Sequence, residues 1–292
     1  MAENLIDLRR RIGSVRNTQK ITRAMKTVSA VKLRKSVLEL KKSGPMMDKI
    51  EYLLGKVGIV EGKSLSPFLE ERDAGEIVVI ALSGDKGLCG AFNSHIIEKT
   101  EKHVQALMDE GELVSLITVG KKCFKYFEKK KREIRRNFPD FISKMTYRDS
   151  FEFSKYIQDV YLNDEVRRID IVYYDFISAA RQDLKVKQLF PIKSEWDSEE
   201  EQASENTEYI FEPTPEEIFD ALLPKYINSI VYRILMGNIA SEHSARMIAM
   251  DLATRNASDM IRSLTLTMNK LRQAAITKEL LEIITATEAL GN

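Results

Sequence analysis

From Pro215 to about Leu290 this 292-residue chain reads as helix, and about 65 of those residues lie beyond Pro224. At 1.5 Å per residue such a helix spans roughly 100 Å, several times the width of a globular domain. It needs a partner along its length. Thr214 is a candidate N-cap ahead of Pro215 at the first helical position, and Pro224 permits a kink or a restart. Ala257, Ile261, Leu264, Met268, Leu271 and Ala275 recur at alternating steps of four and three, the spacing of a coiled-coil seam. The step from Leu252 to Ala257 interrupts that repeat. Met247, Met250, Met260 and Met268 read as core filling.

The N-terminal end supplies the partner. Between Leu5 and about Lys42 there is no proline and only Gly13, and Leu5, Leu8, Ile12 and Val15 follow helical steps. Gly44 and Pro45 then permit a break. Each terminal helix covers the other's apolar stripe if the two pair as an antiparallel coiled coil. The N-terminal helix is only about forty residues long, so the stretch AAITKELLEIITATEAL outreaches it. Leu280, Leu281, Ile283, Ile284 and Leu290 are then left for something outside the chain to shelter.

The middle reads differently. The apolar run Ile77 to Leu82 between Gly75 and Gly84 suits a strand buried on both faces. A helix is expected from about Phe92 to Met108, a strand from Leu113 to Val119, and helices at Cys123 to Lys131 and Phe151 to Leu162. A third strand, Ile169 to Phe176, is rich in β-branched and aromatic residues. Strand and helix alternate, as in a small Rossmann-like α/β domain. The expected organisation is an N-terminal coiled-coil helix over 1–55, an α/β domain over 75–195, an acidic loop or hairpin over 196–214 and a C-terminal coiled-coil helix over 215–292.

Composition removes several function classes. Lys+Arg 45 against Asp+Glu 44 gives no global charge that favours nucleic acid or membrane. The charge is local: twelve basic residues between Arg9 and Lys42 face only Glu3, Asp7 and Glu39. Two cysteines, Cys89 and Cys123, and three histidines support neither a disulfide framework nor a zinc site. No apolar run approaches the ~18 residues of a membrane span, and the first residues lack the apolar core of a signal peptide. The loop SGDKGLCGAFN is a Gly-rich turn between strand and helix, where phosphate can bind. Its glycines give G-x-x-G-x-x-G rather than a dinucleotide fingerprint, and Lys86 lacks the Ser or Thr of a P-loop. The alternative is a tight turn that displays Lys86 and Cys89 to a protein neighbour. No catalytic triad or paired-carboxylate set stands out, and no cofactor or metal is expected. A nucleotide-dependent α/β enzyme and a basic coiled-coil module for nucleic acid stand as alternatives to an interaction protein.

Three runs decide among them. RIGSVRNTQKITRAMKTVSAVKLRKS, SGDKGLCGAFN, and ASEHSARMIAMDLATRNASDMI with NKLRQAAITKELLEI together resemble the gamma subunit family of F-type ATP synthases, in family order. The stretch from about Lys121 to Ile210 is only loosely similar. The resemblance implies a rotating shaft without catalytic residues, one copy per complex. It implies a C-terminal tip inside the alpha and beta subunit hexamer, with the epsilon subunit and the ring of c subunits as further partners. Membrane contact is then through the ring alone, and nucleic acid is no partner. Matched residue by residue, Arg272, Gln273 and Thr277 meet a beta loop, and Met25, Lys86 and Cys89 lie beside an acidic loop of beta. Tyr209, Phe211 and Glu212 match the foot on the c ring. Without a transit peptide or a chloroplast-type insert, the expected place is the cytoplasmic face of a bacterial plasma membrane.

Overall fold

Strand β1 (Glu76–Leu82) is apolar from Ile77 onward, so both of its faces need cover. In the computed structural model, which describes residues 2–61, 66–163, 165–193 and 212–290, both faces are covered. The described residues form two compact units, one of residues 1–30 with 246–292 and the other of residues 31–245.

The larger unit holds a sheet with strand order β3-β2-β1-β4-β5 among the described residues. Here β2 is Val114–Val119, β3 Ile134–Phe138, β4 Val166–Phe176 and β5 Gln182–Phe190. β1 pairs in parallel with both β2 and β4, β2 in parallel with β3, and β4 antiparallel with β5. Val78, Ile80 and Leu82 point to one face, where they meet Phe153, Ile157 and Tyr161 of α5 (Tyr147–Asn163). Ile50, Leu54 and Val57 of α1 (Ala2–Glu61) and the Phe219 to Ile239 stretch of α6 (Pro215–Leu290) complete that core. Ile77, Val79 and Ala81 point the other way, onto α2 (Phe92–Asp109) and α3 (Lys121–Lys129); a short α4 (Phe141–Lys144) lies between β3 and α5. This period-2 alternation makes a three-layer α/β domain from one strand sequence.

Both expected breaks are bridged. α1 continues through Gly44 and Pro45, and α6 through Pro224. A proline inside a helix removes one hydrogen bond, but the apolar side chains that follow it are buried in each case. Ile50, Leu54 and Val57 hold the first helix to the core, and Tyr226, Ile227 and Val231 hold the second. Thr214 does cap α6: its hydroxyl accepts the Glu217 backbone N–H at 3.3 Å. α5 starts four residues earlier than its apolar pattern, at Tyr147, because Thr146 and Asp149 form a reciprocal cap. The Thr146 N–H donates to Asp149 at 2.7 Å, and the Asp149 N–H donates to the Thr146 hydroxyl at 3.3 Å.

In the smaller unit the N-terminal part of α1 and the C-terminal part of α6 pair antiparallel. Gln19 Nε2 donates to Ser258 Oγ at 2.6 Å, the Thr22 and Thr254 hydroxyls lie 2.8 Å apart, and Lys26 Nζ donates to Asp251 at 2.5 Å. The α6 number falls from 258 to 251 as the α1 number rises from 19 to 26, which is the register of an antiparallel pair. Ala257, Ile261, Leu264, Met268, Leu271 and Ala275 all lie on the more buried stripe of α6. Leu252 and Met260 lie off it and are exposed, so Met260 is surface rather than core filling. The interruption after Leu252 vanishes once Met250 and Thr254 are placed on the seam.

Candidate interaction surfaces

At the register of the helix pair, the start of α1 at Ala2 reaches the level of Ala275. From Ile276 to Ala286 every residue of α6 is exposed, including Leu280, Leu281, Ile283 and Ile284, each more than half exposed. Leu290 is helical, but its side chain lies outside the described residues. An aliphatic cluster of this kind at the end of a helix is a surface for a partner. Arg272, Gln273 and Thr277 sit where the cover ends, all exposed, with the Thr277 hydroxyl turned back onto the Gln273 carbonyl at 3.0 Å. Met25 is half-buried on α1 next to Lys26, and so lies about twenty residues, or roughly 30 Å, from Arg272 along the pair. Met25 and Arg272 are therefore two surfaces, not one.

In the larger unit the Gly-rich loop after β1 is built rather than loose. Asn93, on the first turn of α2, accepts the Gly84 N–H at 2.8 Å and donates to the Lys86 carbonyl and the Cys89 sulfur, each at 3.2 Å. Asp85 accepts two further backbone N–H groups, from Asp140 at 2.9 Å and Lys121 at 3.2 Å. Lys121 also pairs with Asp140 at 2.6 Å, a contact that holds the Asp140 carboxyl below its usual range and the lysine above its own. The loop displays Lys86, as expected, and turns Cys89 inward, where it is 1% exposed. That corrects the expectation of a displayed Cys89: Phe92, Ile96 and the aliphatic face of β1 form an apolar layer that takes the sulfur in. Leu88 takes the outward place instead, 62% exposed and with a left-handed φ of 63°. No periodicity marks such a residue in the sequence. The other thiol, Cys123, is fully buried, and burial pushes it up to about 12, so it stays neutral and unreactive at ordinary pH.

The crevice at the C-terminal ends of β1 and β4 is where a doubly wound sheet ordinarily takes a ligand. Here α6 fills it. Asn238 is fully buried, accepts the Tyr174 N–H at 3.0 Å and donates to the Leu82 carbonyl at 3.3 Å, thereby bridging the two strands. One turn on, the Glu242 carboxylate lies 2.7 Å from where a Cβ on Gly84 would sit. Ser244 donates to the Ala179 carbonyl at 2.6 Å. These polar residues on a long helix look like solvent-facing positions in the sequence. Only the fold reveals that they clamp the helix to the sheet.

Glu212 is exposed just before α6, while Tyr209, Phe211 and most of the acidic stretch lie outside the described residues. No group of three or more His, Cys, Asp or Glu side chains among the described residues is arranged to hold a metal ion. No described helix is long and apolar enough to cross a membrane.

Comparison with known proteins agrees with the sequence resemblance. The profile of the family described as ATP synthase matches residues 4–290. The chain is 39% identical over 287 residues to an ATP synthase gamma chain from Pelotomaculum thermopropionicum, covering 98% of this chain and 99% of that one. It is 38% identical over 289 residues to the gamma chain from Halothermothrix orenii, covering 99% of each. The fold is similar to a chain in the OSCP/F1/c-ring structure of Euglena gracilis mitochondrial ATP synthase, with TM-score 0.67 at 20% identity over 99% of this chain and 95% of that one. A chain of the rotor of the same synthase gives TM-score 0.63 at 18% identity, over 94% of this chain and 100% of that one. The chain belongs to the family of ATP synthase gamma chains.

Proposed function

We propose that this gamma chain, the central shaft of the synthase, couples ion-driven rotation of a c ring to the catalytic beta subunits through state-specific contacts of its helix pair. The observation that carries the reading is the bare aliphatic end of α6 beyond Ala275, which fits an apolar sleeve in an alpha and beta hexamer. An asymmetric rod inside three catalytic subunits meets each with a different face. Contacts that differ among beta conformations are what shift those conformations, and rotation then cycles their nucleotide affinities. Arg272, Gln273 and Thr277 are the proposed contacts to a beta loop. Met25, Lys86 and the loop around Cys89 are the proposed contacts to an acidic loop of beta, where basic charge favours approach and register. Tyr209, Phe211 and Glu212 are proposed to stand on the c ring, with the epsilon subunit beside the α/β domain. The chain itself carries out no catalysis in this reading. Its place is the cytoplasmic face of a bacterial plasma membrane, held there through the ring.

The test is purification of the tagged chain from its native membrane. Alpha and beta subunits should co-purify at three copies each per gamma copy. A chain that purifies alone, or at equal numbers with alpha and beta, would contradict the shaft.

A further inference from the structure

The buried stripe of α1 follows the steps Leu5, Leu8, Ile12, Val15, Gln19, Thr22, Lys26 and Ser29, a strict alternation of three and four. Its first four members are apolar and its next four are polar. On the facing helix the matching stretch is Ser258, Thr254 and Asp251. Three consecutive levels of the helix pair therefore meet through polar side chains, at 2.6, 2.8 and 2.5 Å: Thr22 with Thr254 inside the seam, and Gln19 with Ser258 and Lys26 with Asp251 along its edge, beside the buried Ala257 and Met250. Polar pairs in and beside a seam specify register at some cost in stability, because a shifted register leaves one or more of them unmatched.

We propose that these six residues are a shear pin: they fix the axial register of α1 against α6 and so fix the height at which the end of α6 is presented. The geometry makes the alternative registers costly. Sliding the helices by one heptad, so that each of these α1 residues meets a residue seven further along α6, sets Thr22 against Ile261, Gln19 against Thr265 and Lys26 against Ser258. The Thr22 hydroxyl then faces an aliphatic side chain, and Asp251 loses Lys26. Aliphatic seams lack this discrimination, since one leucine packs against another in any heptad register. Asp251 is also held by Arg255 on its own helix, which donates to the second carboxylate oxygen at 2.9 Å while Lys26 takes the first. The hydrogen bond from Lys26 keeps the Asp251 carboxyl below its usual range, so the carboxylate stays ionised at neutral pH and the contact is lost only as pH falls through that lowered value. Torque on a two-helix rod pulls one strand along the other. A shaft reading gives the pin its purpose, but the register is a property of the helix pair and is tested without it.

Spin labels on Arg16→Cys and Arg262→Cys, both exposed positions beside the seam, report the register in the full chain by pulsed dipolar spectroscopy. The unaltered seam should give one narrow distance. Replacing all six residues by leucine should raise the thermal midpoint yet give a broadened or split distance distribution, with a second population about 3 Å longer, because the labels start at the same height and a slide of about 10 Å, one heptad of rise, lies across the line between them. Keeping Lys26 and Asp251 while the other four become leucine should restore one distance. A single unchanged distance in the six-leucine chain would overturn the proposal, and so would a four-leucine chain as broad as the six. Co-purification with alpha and beta subunits is unaffected by these outcomes, so a failed pin and a failed shaft are told apart.

Discussion

Gly120→Ala is expected to destabilise the α/β domain by about 3 kcal/mol or more, combining backbone strain with a buried clash. Gly120, between β2 and α3, has a φ of 91°, which a residue with a Cβ rarely adopts. A Cβ there would lie 2.1 Å from the Ser83 carbonyl oxygen, inside any real contact distance. That oxygen belongs to the backbone leaving β1, and Ser83 is itself fixed: its N–H donates to Val119, and its hydroxyl accepts the Cys123 N–H at 2.9 Å. Neither strand end can give way without loosening the loop that carries Lys86. Gly111 is the control, because its φ is 86° but nothing lies within 4 Å of its Cβ position. Gly111→Ala should cost only the conformational strain, about 1 kcal/mol. Denaturant midpoints of the two variants measure the difference directly. Equal midpoints would mean that the approach of Gly120 to Ser83 relaxes freely.

The second large effect is functional. Arg272→Ala with Gln273→Ala should lower coupled ATP synthesis about tenfold while leaving the chain's stability and assembly near normal, since a hydrogen bond to a charged group is worth ~1.5–3 kcal/mol. Both side chains are exposed where the helix pair ends, so their loss leaves Leu271 and Ala275 in the seam. A bond made to only one of three beta states changes the spacing between those states rather than the sum of binding. Synthesis rate and gamma content in membranes from the double mutant distinguish the cases. Equal losses would assign the residues to assembly, and full synthesis would remove them from the coupling surface.

Much of the fold was legible because its signals are periodic. β1 announces itself as an apolar run that only burial on two faces explains, and the seam from Ala257 to Ala275 shows the step of a coiled coil. The bare end of α6 was expected from an N-terminal helix of about forty residues; α1 in fact runs for 60, and the register that sets Ala2 level with Ala275 is what leaves that end uncovered. Edge strands were harder. β3 reads IRRNF and β5 reads QDLKVKQLF, each only half covered and therefore polar enough to pass for loop. The prolines misled for a different reason. Local propensity argues for a break at Pro45, but burial of Ile50, Leu54 and Val57 outweighs one missing hydrogen bond.

The surfaces divide in the same way. Arg272, Gln273 and Lys86 were readable as outward-facing residues beside apolar or glycine landmarks. Cys89 was not, because whether a residue in a loop points in or out depends on the side chains above it, here Phe92 and Ile96. Asn93 and Asn238 were invisible for a related reason. An asparagine on a helix has many polar surroundings available, and its role as a bridge depends on which backbone groups the sheet leaves unpaired at that height. The polar seam from Gln19 to Ser29 hid itself by the same logic, since a search for apolar periodicity passes over it.

The central claim is that this chain turns inside its complex. The direct measurement is single-molecule observation of a bead attached to the exposed Lys86 loop through an engineered surface cysteine, with the alpha and beta hexamer fixed to glass and ATP supplied. The account predicts unidirectional rotation of the bead with three dwell positions per turn, one for each catalytic subunit. Sustained ATP hydrolysis by the fixed hexamer with a stationary, correctly attached bead would contradict it.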